Sequence, residues 1–176
     1  MWTLLAGPTK FEIACLQYSG ADELPPVGPI HIGRSVKITE ELAEWFIASG
    51  FERWRLRTLH VTLAYSNRPV DWRNSAFAPK QEALTLRCAE RRFEVFGAQQ
   101  LVLTLKSATL EERWNELKKA GASWDFETFV PHITVGHPDD MTGPFVQPYG
   151  GNIELNGEYR TSTRSSGIRT RYPLKM

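Results

Sequence analysis

The sequence predicts an α+β fold of two similar lobes, related by a pseudo-twofold axis and separated by a central cleft. One short pattern, apolar-His-apolar-Thr-apolar, occurs at residues 59–63 and again at residues 131–135. A segment with the signals of a capped helix precedes each copy, and a strand-like run precedes each helix. Because fixed repeats of this length mark repeated structural units, the order strand, helix, loop, motif strand predicts two related units of one domain over residues 1–176.

The repeated pattern places a histidine beside a threonine. Residues i and i+2 of a β-strand point to the same face, so His60 and Thr62 are expected to lie side by side, as are His132 and Thr134. One such pair arises easily by chance, but two among four histidines have a chance probability of roughly 0.04. If the two strands meet across the cleft, they form one pocket with two imidazoles and two hydroxyls.

The first unit begins with a strand predicted over residues 29–36, after a Pro- and Gly-rich connection. Thr39 suits the N-cap of the helix that follows, and Gly50 suits its left-handed end. The motif strand leads into a predicted loop over residues 67–80, which is expected to border any site at the motif. A further strand is predicted upstream, over residues 10–18.

Two groups of basic residues in this unit have open interpretations. Arg53, Arg55 and Arg57 alternate, so an extended segment would present them on one face, either as a solvated edge or as a surface that steers a phosphate. His31 lies within a strand-like run, and a structural role is favoured for it over a contact with a ligand.

The second unit begins with a predicted hairpin of residues 84–96 and 99–106 around a Gly-Ala turn. Thr109 and Glu112 have the spacing of a capping box for the next helix, and Gly121 suits its end. The second motif strand follows this helix, as the first motif strand follows its own.

Three features are predicted after the second motif. A strand is predicted over residues 153–159. Residues 160–171 are rich in Ser, Thr and Arg, which is typical of either a flexible lid or a surface loop. A last strand is predicted over residues 168–174.

Composition narrows the class of protein. A chain of 176 residues that is 41% hydrophobic is large enough for a real core, and its net charge of +1 gives no general attraction to nucleic acid or membranes. Cys15 and Cys88 have no metal or redox spacing, which favours a reduced, intracellular protein. The first residues lack a signal-peptide pattern and no run reaches membrane-spanning length, so a cytoplasmic location is expected.

A metal site is an alternative use of the histidines. His132 and His137 are five residues apart, so on one strand their side chains would point to opposite faces. The sequence has no HExxH or CxxC pattern. We therefore expect neither a metal ion nor another cofactor.

Two imidazoles on either side of a phosphodiester are suited to acid–base cleavage. One neutral histidine takes a proton from a ribose 2′-hydroxyl or a water, and the other, protonated, donates to the departing oxygen. Thr62 and Thr134 are then expected to donate hydrogen bonds to the non-bridging phosphate oxygens. The sequence does not distinguish the base from the acid.

The paired motifs resemble those of the two-histidine phosphoesterase superfamily, which includes 2′-5′ RNA ligase-like proteins and cyclic phosphodiesterases. Within it, the chain is most similar to the phage anti-CBASS phosphodiesterases, which degrade cyclic oligonucleotide second messengers. The likeness covers roughly residues 38–160, whereas residues 1–27 extend beyond the usual start of the family. It is carried by residues 59–66, 92–95, 101–103, 110–134 and 156–159.

The resemblance implies metal-independent hydrolysis of 3′-5′ linkages in cyclic di- and trinucleotides, through a 2′,3′-cyclic phosphate. It implies contacts with the bases by Glu158 and Phe96, and it marks Tyr65 and Tyr159 as substrate-binding positions. The family's N-terminal aromatic residue falls near His31, where this chain departs from the pattern. No stable complex with a nucleic-acid polymer is expected, and the oligomeric state is left open.

Three functions agree with these residues. The first is an enzyme that opens cyclic oligonucleotides and so counteracts CBASS immunity. The second is an RNA-processing enzyme that acts on 2′,3′-cyclic phosphate ends or 2′-5′ linkages. The third is a non-catalytic protein that binds nucleotides without changing them, against which the presence of both histidines argues.

Overall fold

The computed structural model describes residues 27–162 except 88–89, 98, 125, 127 and 142–145. The strands predicted over residues 10–18 and 168–174 lie outside the described residues, as do both cysteines and nearly all of the segment rich in Ser, Thr and Arg. No helix within the described ranges is both long enough and apolar enough to cross a membrane.

The described residues form seven strands and two α-helices, with three short 3-10 helices between them. In chain order, the strands and α-helices are β1 (Val27–Lys37), α1 (Glu40–Ala48), β2 (His60–Asp71), β3 (Leu84–Leu86), β4 (Arg92–Phe96), β5 (Gln100–Thr104), α2 (Ala108–Lys119), β6 (His132–Gly136) and β7 (Ile153–Thr161).

The strands form two separate sheets, and every recorded pairing is antiparallel. The first sheet has the order β2-β1-β7-β3, and the second has the order β4-β5-β6. The motif strands β2 and β6 are edge strands of their own sheets, and they contact each other. Two antiparallel sheets with helices between the strands confirm the predicted α+β class.

The two units have the same connectivity. In the first unit, β1 leads through α1 to its antiparallel partner β2; in the second, β5 leads through α2 to its antiparallel partner β6. In each unit the motif histidine is the first residue of the second strand. The repeat predicted from the sequence is therefore a repeat of structure, and it brings each motif to the same position in its unit.

A one-residue bulge follows the threonine of each motif. In β2 the extra residue is Leu63, and in β6 it is Val135, because the register shifts by one residue directly after Thr62 and Thr134. A bulge bends its strand and re-aims the side chains beyond it. In the first unit, this lets Tyr65 face the same side as Thr62 although the two are three residues apart.

The residues between the motif histidines and threonines anchor the two strands. Val61 is 0% exposed and Ile133 is 2% exposed, and both belong to the core cluster. As alternation along a strand requires, their burial leaves the neighbouring imidazoles and hydroxyls on the opposite face. Core residues from both helices, such as Phe46 and Leu117, join the same cluster.

The start and the end of α1 agree with the sequence. The Thr39 hydroxyl accepts a hydrogen bond from the N–H of Leu42 at 3.2 Å, which is the expected N-cap. Beyond the helix, Gly50 has a φ of 90°, the left-handed conformation that glycine adopts without strain.

The predicted capping box of α2 was wrong. The N-cap is Ser107, whose hydroxyl accepts from the N–H of Leu110 at 3.4 Å. Thr109 and Glu112 lie inside the helix as a result. Serine caps a helix as well as threonine does, so Ser107 satisfies the first turn two residues earlier than expected.

The arginine segment before the first motif is not extended. Arg53–Thr58 forms a 3-10 helix, so Arg53, Arg55 and Arg57 do not share the face that an extended segment would give them. Arg55 pairs with Glu52 at 3.1 Å and lies over the Trp54 ring at 4.8 Å. The interpretation of these residues as one phosphate-steering face is therefore corrected.

Two predicted boundaries were also wrong. The loop expected over residues 67–80 begins later, because β2 continues to Asp71 along β1. Buried Trp72 then closes the segment by donating its indole N–H to the Gly28 carbonyl at 3.0 Å. The hairpin expected from residue 84 involves only β4 and β5, since β3 pairs with β7 in the other sheet.

Candidate active site

Both motifs line one open cavity of about 740 Å³, between residues of the two sheets. His60 and Thr62 reach it from β2, and His132 and Thr134 reach it from β6. Four side chains that are distant in the sequence thus share one space, as the strand pattern predicted. The cavity therefore lies where the edge strands of the two sheets meet.

The two imidazoles are held in the same way. Nδ1 of His60 lies 2.7 Å from the carbonyl oxygen of Thr58, and Nδ1 of His132 lies 2.7 Å from that of Val130. A carbonyl oxygen only accepts, so each Nδ1 carries a proton and donates it. In both rings Nε2 is therefore the nitrogen left to accept or donate a proton in the cavity.

Burial favours the neutral form of the His132 imidazole. Burial lowers the pKa of His132 below 6.5, and a positive charge on His60 lowers it further, against the hydrogen bond to Val130 that raises it. His132 is therefore predominantly neutral at pH 7, with Nε2 free to accept a proton.

Three aromatic side chains surround the first motif. The ring of His31 lies 5.9 Å from that of His60, 5.8 Å from that of Tyr65 and 5.5 Å from that of Tyr159. The Tyr159 ring also lies 6.5 Å from the His60 ring. Tyr65 lines the cavity directly. Both tyrosines that were predicted as substrate-binding positions therefore lie at the first motif.

Burial keeps two members of this group uncharged. It lowers the pKa of His31 to about 4, with a smaller contribution from the charge of His60. Burial also raises the pKa of Tyr159 to about 12. At pH 7 these two neighbours of the first motif are therefore neutral.

His31 is closer to the site than the sequence indicated. Its Nε2 lies 3.4 Å from the Thr62 hydroxyl oxygen, and the favoured structural role did not anticipate that contact. Alternation along the predicted strand puts His31, Gly33 and Ser35 on one face, and the structure pairs Gly33 of this face with Thr62. The missing information was that β1 lies beside β2.

The second motif has a different set of neighbours. The ring of Phe96 lies 4.9 Å from that of His132 and approaches it edge to face at 70°. Trp124 and Phe126 line the same cavity, and Phe126 is 71% exposed. Phe96 was expected here from the sequence, whereas Trp124 and Phe126 were not, although aromatic residues are dense between Trp124 and Phe129.

Glu158 does not reach the cavity. Its side chain is 0% exposed, and its carboxylate accepts from Arg113 at 2.8 Å and from Arg34 at 3.3 Å. Adjacent residues of a strand face opposite sides, so Glu158 points away from the face of Tyr159. The expected base contact of Glu158 is therefore corrected to a buried ion-pair role behind the first sheet.

His137 is engaged away from the motif residues. Its Nε2 lies 2.7 Å from the side-chain oxygen of Gln99, and its Nδ1 accepts from the N–H of Asp139 at 3.2 Å. Over the described ranges, no three His, Cys, Asp or Glu side chains are grouped as ligands for a metal ion.

Comparisons with known proteins identify a family and a fold. A family model for the anti-CBASS protein Acb1 matches residues 31–165. A relative of that description from Caulobacter sp. (strain RHG1) is 29% identical over an alignment of 136 residues, which covers 74% of this chain and 22% of that protein. Another, from Escherichia phage RB16, is 31% identical over 88 residues, or 48% of this chain and 49% of that protein.

The chain therefore spans less than half the length of either of these curated relatives. Among solved structures, E. coli LigT in its apo form matches with a TM-score of 0.50 and 17% identity, over 78% of this chain and 88% of that one. At this identity the match describes the fold alone, and it agrees with the two-sheet architecture above.

Proposed function

We propose, from the premise that the chain belongs to the Acb1 family of anti-CBASS proteins, that it counteracts CBASS signalling as a phosphodiesterase of cyclic di- and trinucleotides. One observation carries the proposal. Two imidazoles, each with its Nδ1 hydrogen-bonded to a backbone carbonyl, line a single cavity together with two threonine hydroxyls. That set supplies a base, an acid and two hydrogen-bond donors for one phosphate.

We assign the general base to His132 and the general acid to His60. Burial holds the pKa of His132 below 6.5, so at pH 7 its Nε2 is available to take the proton of a ribose 2′-hydroxyl. The 2′-oxygen then attacks phosphorus, and Nε2–H of His60 protonates the departing 5′-oxygen. The ring opens with a 2′,3′-cyclic phosphate at one end and a 5′-hydroxyl at the other.

Hydrolysis of the cyclic phosphate uses the same groups in exchanged roles. After the first step His132 is protonated and His60 is neutral, so His60 takes a proton from water and His132 returns one to the 2′-oxygen. Each transfer contributes about 10²–10⁴-fold to the rate. The hydroxyls of Thr62 and Thr134 face the cavity and are suited to donate to the non-bridging oxygens, where negative charge builds up.

The cavity favours a small nucleotide over a long nucleic acid. A volume of about 740 Å³ lies in the range of sites for small molecules. The net charge of +1 gives no extended basic surface for a phosphate backbone. Aromatic side chains from both units line the cavity and provide faces on which bases stack. These are Tyr65, Phe96, Trp124 and Phe126.

A chromatographic assay tests the proposal. The protein is incubated, with EDTA present, with a panel of cyclic di- and trinucleotides and with an RNA oligomer that ends in a 2′,3′-cyclic phosphate. We expect one or more cyclic nucleotides to be opened through a 2′,3′-cyclic phosphate product, and the variant that carries both H60A and H132A to leave them intact.

Two results would contradict the proposal. Conversion of the RNA ends with every cyclic nucleotide left intact would identify an RNA-processing enzyme. Tight binding of a cyclic nucleotide that is recovered unchanged would identify a protein that only sequesters it. A further substrate in the assay is a 2′-deoxy cyclic dinucleotide, which lacks the proposed nucleophile. Its rapid hydrolysis would show that water, and not the 2′-hydroxyl, attacks phosphorus.

A further inference from the structure

A third histidine contacts the first motif from the neighbouring strand. His31 lies on β1, and its Nε2 is 3.4 Å from the Thr62 hydroxyl oxygen, within hydrogen-bond distance. Its ring is also in edge contact with the rings of His60, Tyr65 and Tyr159. Rings on three sides restrict the rotation of His31, so its orientation toward Thr62 is set by packing.

The geometry points to His31 as a positioning residue that directs the hydroxyl proton of Thr62 toward the substrate phosphate. This inference rests on the proposed function, since it concerns how Thr62 contacts the scissile group. A hydroxyl has one proton to donate. If Thr62 spends that proton on a phosphate oxygen, then its contact with His31 must be one in which Thr62 accepts and Nε2–H of His31 donates.

The neutral state of His31 suits this task. Burial lowers the pKa of His31 to about 4, so the ring donates to Thr62 without carrying a positive charge at pH 7. A permanent cation 5.9 Å from the ring of His60 would disfavour the protonated form of His60 that the proposed acid role needs. A neutral donor orients the hydroxyl and leaves that protonation undisturbed.

The second unit has a residue at the equivalent position. Ser35 pairs with His60 as Thr104 pairs with His132, and four residues before each stand His31 and Gln100. Gln100 also lines the cavity. The amide N–H of glutamine is a neutral donor of similar reach to Nε2–H of histidine. The substitution H31Q therefore places in the first unit the residue type that stands at this position in the second unit.

A double-mutant cycle tests the inference. H31F keeps a ring for the aromatic contacts but removes the donor, and T62V removes the hydroxyl with little change of shape. We expect H31F to lower kcat by about tenfold with KM nearly unchanged. A tenfold loss corresponds to the typical free-energy contribution of one hydrogen bond. In the T62V background, the same substitution is expected to have little further effect on kcat.

Two matched variants separate positioning from packing. In the T134V background, H31F should again lower kcat by about tenfold, because Thr134 is on the other strand. H31Q should restore most of the rate that H31F loses. An equal loss from H31F in the T62V and wild-type backgrounds, or failure of H31Q to restore the rate, would overturn the inference.

The tautomer of His31 gives a readout that does not depend on turnover. Nitrogen-15 NMR of the imidazole in the wild-type protein should show the proton on Nε2. A proton on Nδ1 would overturn the inference even in an active enzyme. If instead the wild-type protein cleaves no cyclic nucleotide while the Nε2–H form is observed, the proposed function fails and the contact between His31 and Thr62 stands.

Discussion

The two motif strands have the same backbone and different surroundings. In both, Nδ1 of the histidine is 2.7 Å from the carbonyl oxygen two residues earlier, and a one-residue bulge follows the threonine. The first motif is surrounded by the polar rings of His31, Tyr65 and Tyr159, whereas His132 packs against Phe96. The backbone of each motif therefore orients its imidazole in the same way, and the neighbouring side chains differ between the two motifs.

The same contrast is the basis for proposing different roles for the two matching motifs. A symmetric pair of histidines would share protons without preference, and acid–base cleavage needs one neutral and one protonated ring. The apolar cover of His132 lowers its pKa and favours the neutral form there. Substitutions confined to one unit therefore report which unit performs which task.

The largest effect is expected from removing either imidazole. H60A and H132A should each lower kcat/KM for the preferred cyclic nucleotide by about 10²–10⁴-fold, since each ring carries one proton transfer in each step. The double variant should be only slightly slower than the singles, because groups that act as a unit are not additive. Both rings lie in the cavity wall, so thermal melting should change little; substantial residual activity in either single variant would refute its assignment.

A smaller loss is expected from the aromatic walls. F96A should weaken substrate binding by about 1–3 kcal/mol if a base stacks on this ring, and Y65A should do the same in the first unit. The matched control is V95A, because Val95 lines the same cavity without an aromatic face. The measurement is KM for a cyclic dinucleotide, and an equal rise of KM in V95A would exclude stacking as the cause.

The stability of the first unit should depend on pH through His31. Burial lowers the pKa of His31 from 6.5 to about 4, so near pH 5 the unfolded chain binds a proton that the folded chain does not. The free energy of unfolding should therefore fall by about 2 kcal/mol between pH 6.5 and pH 4, after allowance for partial exposure.

Urea unfolding of the wild type and H31F across this range isolates the contribution of His31. The curve of the wild type should be steeper, because H31F has no proton to bind at this position. Parallel curves for the two proteins would show that the pKa of His31 is not lowered in the folded state.

The smallest effect is a displacement of the pH–rate profile. The acid limb of kcat/KM reports the base of the free enzyme, so with His132 in that role it should lie below pH 6.5. F96A removes apolar cover from His132, raises its pKa and should move this limb to higher pH. Y65A, in the other unit, should leave it in place; the reverse pattern would assign the base to His60.

Part of the site follows from local sequence rules alone. The spacing of His60 to Thr62 and of His132 to Thr134 puts each pair on one strand face, and the repeat puts both pairs at the same place in their units. The same rule of alternation places Glu158 on the opposite face from Tyr159. The two are neighbours on one strand, so they could not both reach the cavity, and only Tyr159 lies on the face of His60.

The sequence by itself determined the two motifs, their repeat, the α+β class and the first helix with its Thr39 cap, because these depend on residues that are close along the chain. Only the tertiary structure decided that β1 carries His31 to Thr62, that Arg34 and Arg113 enclose Glu158, and how the two imidazoles differ. These features depend on strand order, bulges and burial. They arise from contacts between segments far apart in the sequence, for which local periodicity has no signal.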